Sequence, residues 1–128
     1  MKKLLSLLVV ISSAQVTFSQ CTELIISEYV EGNGNNKALE IYNPTLLSVN
    51  LADYRIVRYS NGSGTGTDSL QLTGTLNPGN AWVVVNGQTV TVTNPPSPAC
   101  DPALQALADQ LSGAYPDPLY MNGDDAIA

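Results

Sequence analysis

The chain has 128 residues, with five Lys or Arg against eleven Asp or Glu, no histidine, and a formal net charge of −6. That length suits one domain of ordinary size, and the acidity excludes the cationic footprint that a phosphate backbone or an anionic membrane surface requires. The lack of histidine removes the commonest general base, the commonest metal ligand and every histidine-based triad.

In chain order, Met1-Lys2-Lys3 is a short basic start, and Leu4 to Ile11 is an apolar run too short for the roughly 20 residues of a membrane-spanning helix. Small and polar residues then lead to Ser19. This pattern predicts a secretory signal peptide over 1–19, cleaved after Ser19, in preference to a buried N-terminal strand or helix. The mature domain, 20–128, would be secreted or held at the cell surface with no transmembrane segment. It would keep only Lys37, Arg55 and Arg58 against all eleven carboxylates, a formal charge of −8. In an exported chain, Cys21 and Cys100 are expected to form one disulfide. The alternative is lipid attachment at Cys21, which directly follows the leader, although Gln20 stands where such a site takes a small residue.

Leu24 to Asn43 predicts two strands joined by a Gly/Asn-rich tip. Leu47, Val49 and Leu51 alternate with polar residues, and Tyr54 to Tyr59 is rich in β-branched and aromatic side chains, so both read as strands. Ser60 to Asp68 is a Gly- and Ser-rich loop, and Leu70 and Leu72 mark another strand. Asn77-Pro78-Gly79-Asn80 places Pro and Gly at the centre of a type II turn. Ala81 to Val85, with Trp82 and three valines, is the strongest buried-strand signal, and Asn86-Gly87 is expected to turn it into a hairpin. Asn94 to Pro98 is a connector. Asp101 as N-cap, Pro102 at the first turn, leucines at 104, 107 and 111, and Gly113 predict a helix of about three turns with its leucines on the core. Leu119 to Met121 and Ala126 to Ala128 read as strands around a turn at Asn122 to Asp125.

Many short strands, turns at regular intervals and one peripheral helix predict an all-β fold, an antiparallel β-sandwich. The chain stops within an apolar strand, and from this we expect the domain to be C-terminally truncated. The segments LIISEYVEGNGNNKALEIYNP, VNLADYRIVRYSNG, LNPGNAWVVVN and LYMNGDDAIA together resemble the lamin tail domain as it occurs in secreted bacterial proteins. The resemblance runs from Leu24 to Ala128 and implies an immunoglobulin-like sandwich. It departs at Asp53, where the family usually has glycine, and the family pattern continues past Ala128. It further implies an accessory module of a larger secreted or surface protein, such as an extracellular nuclease or adhesin, with any catalysis in another domain of that polypeptide.

Candidate site residues follow from chemistry. The hairpin tip supplies hard oxygen donors at Glu31, Asn33, Asn35 and Asn36, and with Asp124 and Asp125 it could hold calcium; no calcium-loop motif supports this, and a solvated acidic tip is the simpler reading. Glu28 and Lys37 would form a binding edge, Lys37 also serving as local countercharge. Glu40 is expected to be structural, accepting backbone donors from a neighbouring loop, and Trp82 to lie in the core. Tyr29, Tyr42, Tyr54 and Tyr59 would either line a glycan-stacking strip or cap the core rim. Protein or glycan at the cell surface are the expected partners, with no direct nucleic-acid binding. The alternative function is a metal-dependent hydrolase using Glu28, Glu31 and Glu40 with Asp124 and Asp125.

Overall fold

The computed structural model describes residues 21–128; the expected signal peptide lies outside the described residues. Among the described residues, eleven short strands form four sheets, with one short α-helix. The four-stranded sheet contains β1 (Ile25–Glu31), β2 (Lys37–Tyr42), β7 (Ala81–Val85) and β10 (Gln110–Leu111), in the order β1-β2-β7-β10. Facing it is a three-stranded sheet ordered β11-β4-β5, from β4 (Arg55–Tyr59), β5 (Asp68–Gln71) and β11 (Ala126–Ile127). Two small ladders complete the set. One pairs β3 (Val49–Asn50) with β6 (Thr75–Leu76), the other β8 (Val92–Thr93) with β9 (Pro96–Ser97). All pairings are antiparallel except that of β10 with β7.

Period-two alternation decides which side chains meet. Leu39, Ile41 and Val84 of the larger sheet point inward and meet Ile56 of β4 with Leu51, Leu72, Leu76, Leu119 and Met121. The opposite face of β2 and β7 is covered as well. There Ala38 and Val85 pack with Cys100, beneath Leu104 and Ala108 of the segment carrying α1 (Pro102–Gln105). Burying one valine such as Val85 is worth about 1.5–3 kcal/mol, so a single helical turn is held by what it covers and not by its own propensity.

Several local expectations give way to tertiary contacts. The helix ends at Gln105, well short of Gly113. Asp109 then bonds β7 at both backbone and side chain, its N–H to the Val83 carbonyl at 2.9 Å and its carboxylate accepting from the Val83 N–H at 2.8 Å. This pulls the chain into β10, so Leu107 (69% exposed) and Leu111 lie outside the core. Asn86-Gly87 makes no hairpin. Asn86 is buried, its amide donates to the Leu119 carbonyl at 2.8 Å, and the chain leaves the sheet. Leu119 sits in a buried 3-10 turn (Pro118–Tyr120), not in a strand. Leu51 likewise starts a 3-10 turn (Leu51–Asp53) capped by the Asn50 side chain.

The Cys21–Cys100 disulfide is corrected: both thiols are free. Cys100 is enclosed beneath the helical segment against Ala38 and Val85, whereas Cys21 is exposed at the start of the described chain. Burial pushes the Cys100 thiol up from its ordinary pKa, which keeps it protonated and unreactive.

Candidate functional site

The hairpin tip is built to hold another part of the chain. Asn35 is buried, and its amide donates to the Ser97 hydroxyl at 3.0 Å and the Pro98 carbonyl at 2.6 Å. The Asn36 side-chain carbonyl accepts from the Asp101 N–H at 2.7 Å, beside the helix cap. Gly34, at φ +61°, lies so close to the Pro98 ring that a Cβ would overlap it, and its left-handed backbone is the one glycine tolerates best. The Asn35 amide therefore serves β9 and the Asn36 side-chain carbonyl serves the helix start.

Below the tip, Lys37 is buried and its Nζ lies 3.6 Å from Glu31 Oε1. The Tyr29 hydroxyl donates to Glu31 Oε2 at 3.2 Å. Burial, the Glu31 charge and, more weakly, Asp125 raise the Tyr29 pKa above its ordinary value. Glu40 accepts from the Ser27 hydroxyl at 2.7 Å, so its partner is a side chain across the hairpin and not the backbone of a loop. Glu28 is directly opposite Glu40 in the ladder and has no ionic or hydrogen-bond partner among the described residues.

Asp125 is committed elsewhere. Its carboxylate accepts from the N–H groups of Asn61 at 2.8 Å and Asn122 at 3.0 Å and pairs with Arg58 Nη1 at 3.3 Å. Enclosure alone would raise its pKa, but these donors outweigh it and hold the carboxyl below its ordinary value. Arg58 is buried. Its Nε donates to Asp68 at 2.9 Å and its Nη1 to the Tyr120 carbonyl at 2.8 Å, tying β4 to β5 and to the closing turn. A signal for this network is present in the sequence: alternation in β4 puts Arg58 on the same face as Ile56, and a cation facing a core needs counter-charges. Asp124 and Asn33 are both exposed. Among the described residues, no group of three or more His, Cys, Asp or Glu is placed to hold a metal ion.

Trp82 packs against the core, its ring over Gly74, and its Nε1 has no hydrogen-bond partner among the described residues. The four tyrosines make no common strip. Tyr29 lies opposite inward-facing Leu39, Tyr42 lies on the other face of the same sheet, and Tyr54 packs on the core with its hydroxyl donating to Glu23 at 2.8 Å. A cleft of ≈ 460 Å³ lies between the Gly87–Val92 segment and the loop 112–120, bordered by Gln88, Val90, Tyr115 and Tyr120. It has no carboxylate, amine or thiol in its lining, so the hydroxyls of Thr89 and Ser112 have no base there to activate them.

Two packed sheets around the main core, with Arg58, Asp68 and Asp125 paired inside it, define a mostly-β module consistent with an immunoglobulin-like sandwich. A profile of the Lamin Tail Domain family matches residues 17–128, and the chain belongs to that family. No curated protein and no solved structure matches it. Among the described residues, no helix is long and apolar enough to cross a membrane.

Proposed function

We propose that this chain is a non-catalytic, exported accessory module, an immunoglobulin-like lamin tail domain of a larger bacterial secreted or cell-surface protein such as an extracellular nuclease or adhesin. The observation that carries this reading is that the ion pairs tie the fold's own segments together. Arg58, Asp68 and Asp125 hold strands together, and Lys37 is taken by Glu31. Catalysis needs groups that converge on an open site, and the cleft beside Tyr115 and Tyr120 is lined by no carboxylate, amine or thiol. Family membership over 17–128 supports the same conclusion. The module positions or binds a protein or glycan at the cell surface, and reactions on substrate belong to other parts of the parent polypeptide. Its acidity keeps nucleic acid away from this domain.

Two measurements test this. The purified chain, given plasmid DNA and chromogenic glycosides with calcium or magnesium, should show no turnover. Turnover that is lost in Glu28→Gln or Glu31→Gln would establish the hydrolase instead. Export is checked by fractionating expressing bacteria and sequencing the mature N-terminus, which should begin at Gln20. A chain retained in the cytoplasm and starting at Met1 would refute it.

A further inference from the structure

The two sheets share a margin at which β10 is the last strand of one and β5 the last strand of the other. The segment through β10 is fastened to β7 on either side of Gln110, by Asp109 and by the Ser112 N–H, which donates to the Val85 carbonyl at 2.8 Å. Gln110 itself is half-buried. Its backbone pairs with Val84, while its side chain crosses to the other sheet. There the side-chain N–H donates to the Gln71 carbonyl at 2.9 Å, and the side-chain carbonyl accepts from the Thr73 N–H at 3.1 Å and the Thr73 hydroxyl at 3.2 Å. Leu72, between those two, donates its own N–H to the Tyr54 carbonyl at 3.1 Å and buries its side chain in the core. Successive residues of a strand direct their backbone groups to opposite sides, so Gln71 and Thr73 offer theirs away from β4. Gly74, next in the chain, lies so close beneath the Trp82 ring of β7 that a Cβ would overlap it. The 71–74 segment is thus held against the larger sheet by one amide and one indole.

The Gln110 bonds reproduce one rung of a parallel ladder. A strand residue beside Leu72 would donate to the carbonyl before it and accept from the N–H after it. A glutamine side chain ends in the same donor and acceptor as a peptide group, and here both are used. Glutamate in its ionised form would lack the donor, and lysine the acceptor. We propose that Gln110 is a surrogate strand residue: its side chain closes the seam between the two sheets and occupies the rung of β5 that another strand would take. Unpaired strand edges invite such pairing, and natural folds blunt them with a cover; at this rung the cover is one amide. Because the Thr73 N–H is already taken, no segment outside the described residues pairs with it while Gln110 stays in place. The role holds whether or not the domain is a binding module.

The test compares the purified chain with Gln110→Met, which keeps the length of the side chain and removes both hydrogen-bonding groups. Amide hydrogen exchange followed by NMR reads the rung directly. In the parent the Thr73 N–H should be protected. In the variant it should exchange about fivefold faster, the factor that corresponds to one hydrogen bond, while the Leu72 N–H, bonded to β4, should change by less than about twofold. Sedimentation velocity should show the variant self-associating beyond the parent at the same concentration, as a freed strand edge does. Equal loss of protection at Thr73 and Leu72 would make Gln110 a support of the whole strand and overturn the proposal. So would association no greater than the parent's. Should Gln110→Met fail to fold, the parent alone decides: a protected Thr73 amide supports the surrogate rung, and one that exchanges at the rate of an unstructured peptide overturns it.

Discussion

β1 and β2 are the two arms of one hairpin, with similar apolar content, yet they have opposite fates. Leu39 of β2 is fully buried while its partner Tyr29 of β1 is 45% exposed. β2 lies between β1 and β7, so both its edges are paired and both its faces covered. Among the described residues β1 is paired on one side only, with β2. The charges follow the same division. Arg58 is enclosed between Asp68 and Asp125, whereas the Glu31 of the Lys37 pair remains a third exposed. Position in the sheet, and not residue type, separates the buried arm of this hairpin from the exposed one.

The comparison can be broken by mutation. Arg58→Ala should cost about 3–5 kcal/mol in urea unfolding, since it leaves buried carboxylates without their counter-charge, whereas Glu31→Gln should cost no more than about 1 kcal/mol. Comparable losses would mean that the two ion pairs are equally enclosed. Leu39→Ala should cost about 2–5 kcal/mol by the cavity it opens, and Tyr29→Ala only a fraction of that. Equal melting shifts would show that β1 is covered in solution.

Acid should act through the inner cluster. Because the folded pKa of Asp125 is depressed, its contribution is fully present above the unfolded value of about 3.9 and is lost as pH falls through the folded value. Stability should therefore decline below about pH 4, and Asp125→Asn should flatten that decline. An unchanged acid limb would remove Asp125 from the account. Thiol chemistry gives a smaller readout. Cys21 should react with a thiol reagent in the native chain and Cys100 only after unfolding, and an absence of free thiol after denaturation would restore the disulfide. The smallest effect expected is none: millimolar calcium should leave the melting temperature unchanged, since any bound ion would raise it.

The candidate site was partly legible in the sequence. Lys37 beside Glu31 as a local pair could be read from the hairpin itself, because a short tip brings its two ends together. The tasks of Asn35 and Asn36 could not, since their partners Ser97, Pro98 and Asp101 lie more than sixty residues away. Asp125 looked like a metal donor for the same reason: its arginine is distant in sequence.

What the sequence determined by itself is local. The strand-forming runs of β1, β2, β4 and β7, the Pro78-Gly79 turn with Gly79 at φ +72°, and the Asp101 cap all follow from steric and hydrogen-bonding preferences of neighbouring residues. The order of four recurring motifs also carried the family. Only tertiary structure decided that the helix stops after one turn because β7 takes Asp109, that Asn86 goes inward to Leu119, that Cys100 is sealed away from Cys21, and that β2, not β1, lies between two strands. Each depends on a contact between segments far apart in the chain, where the free energy of burial outweighs the tenths of a kcal/mol by which local propensity speaks.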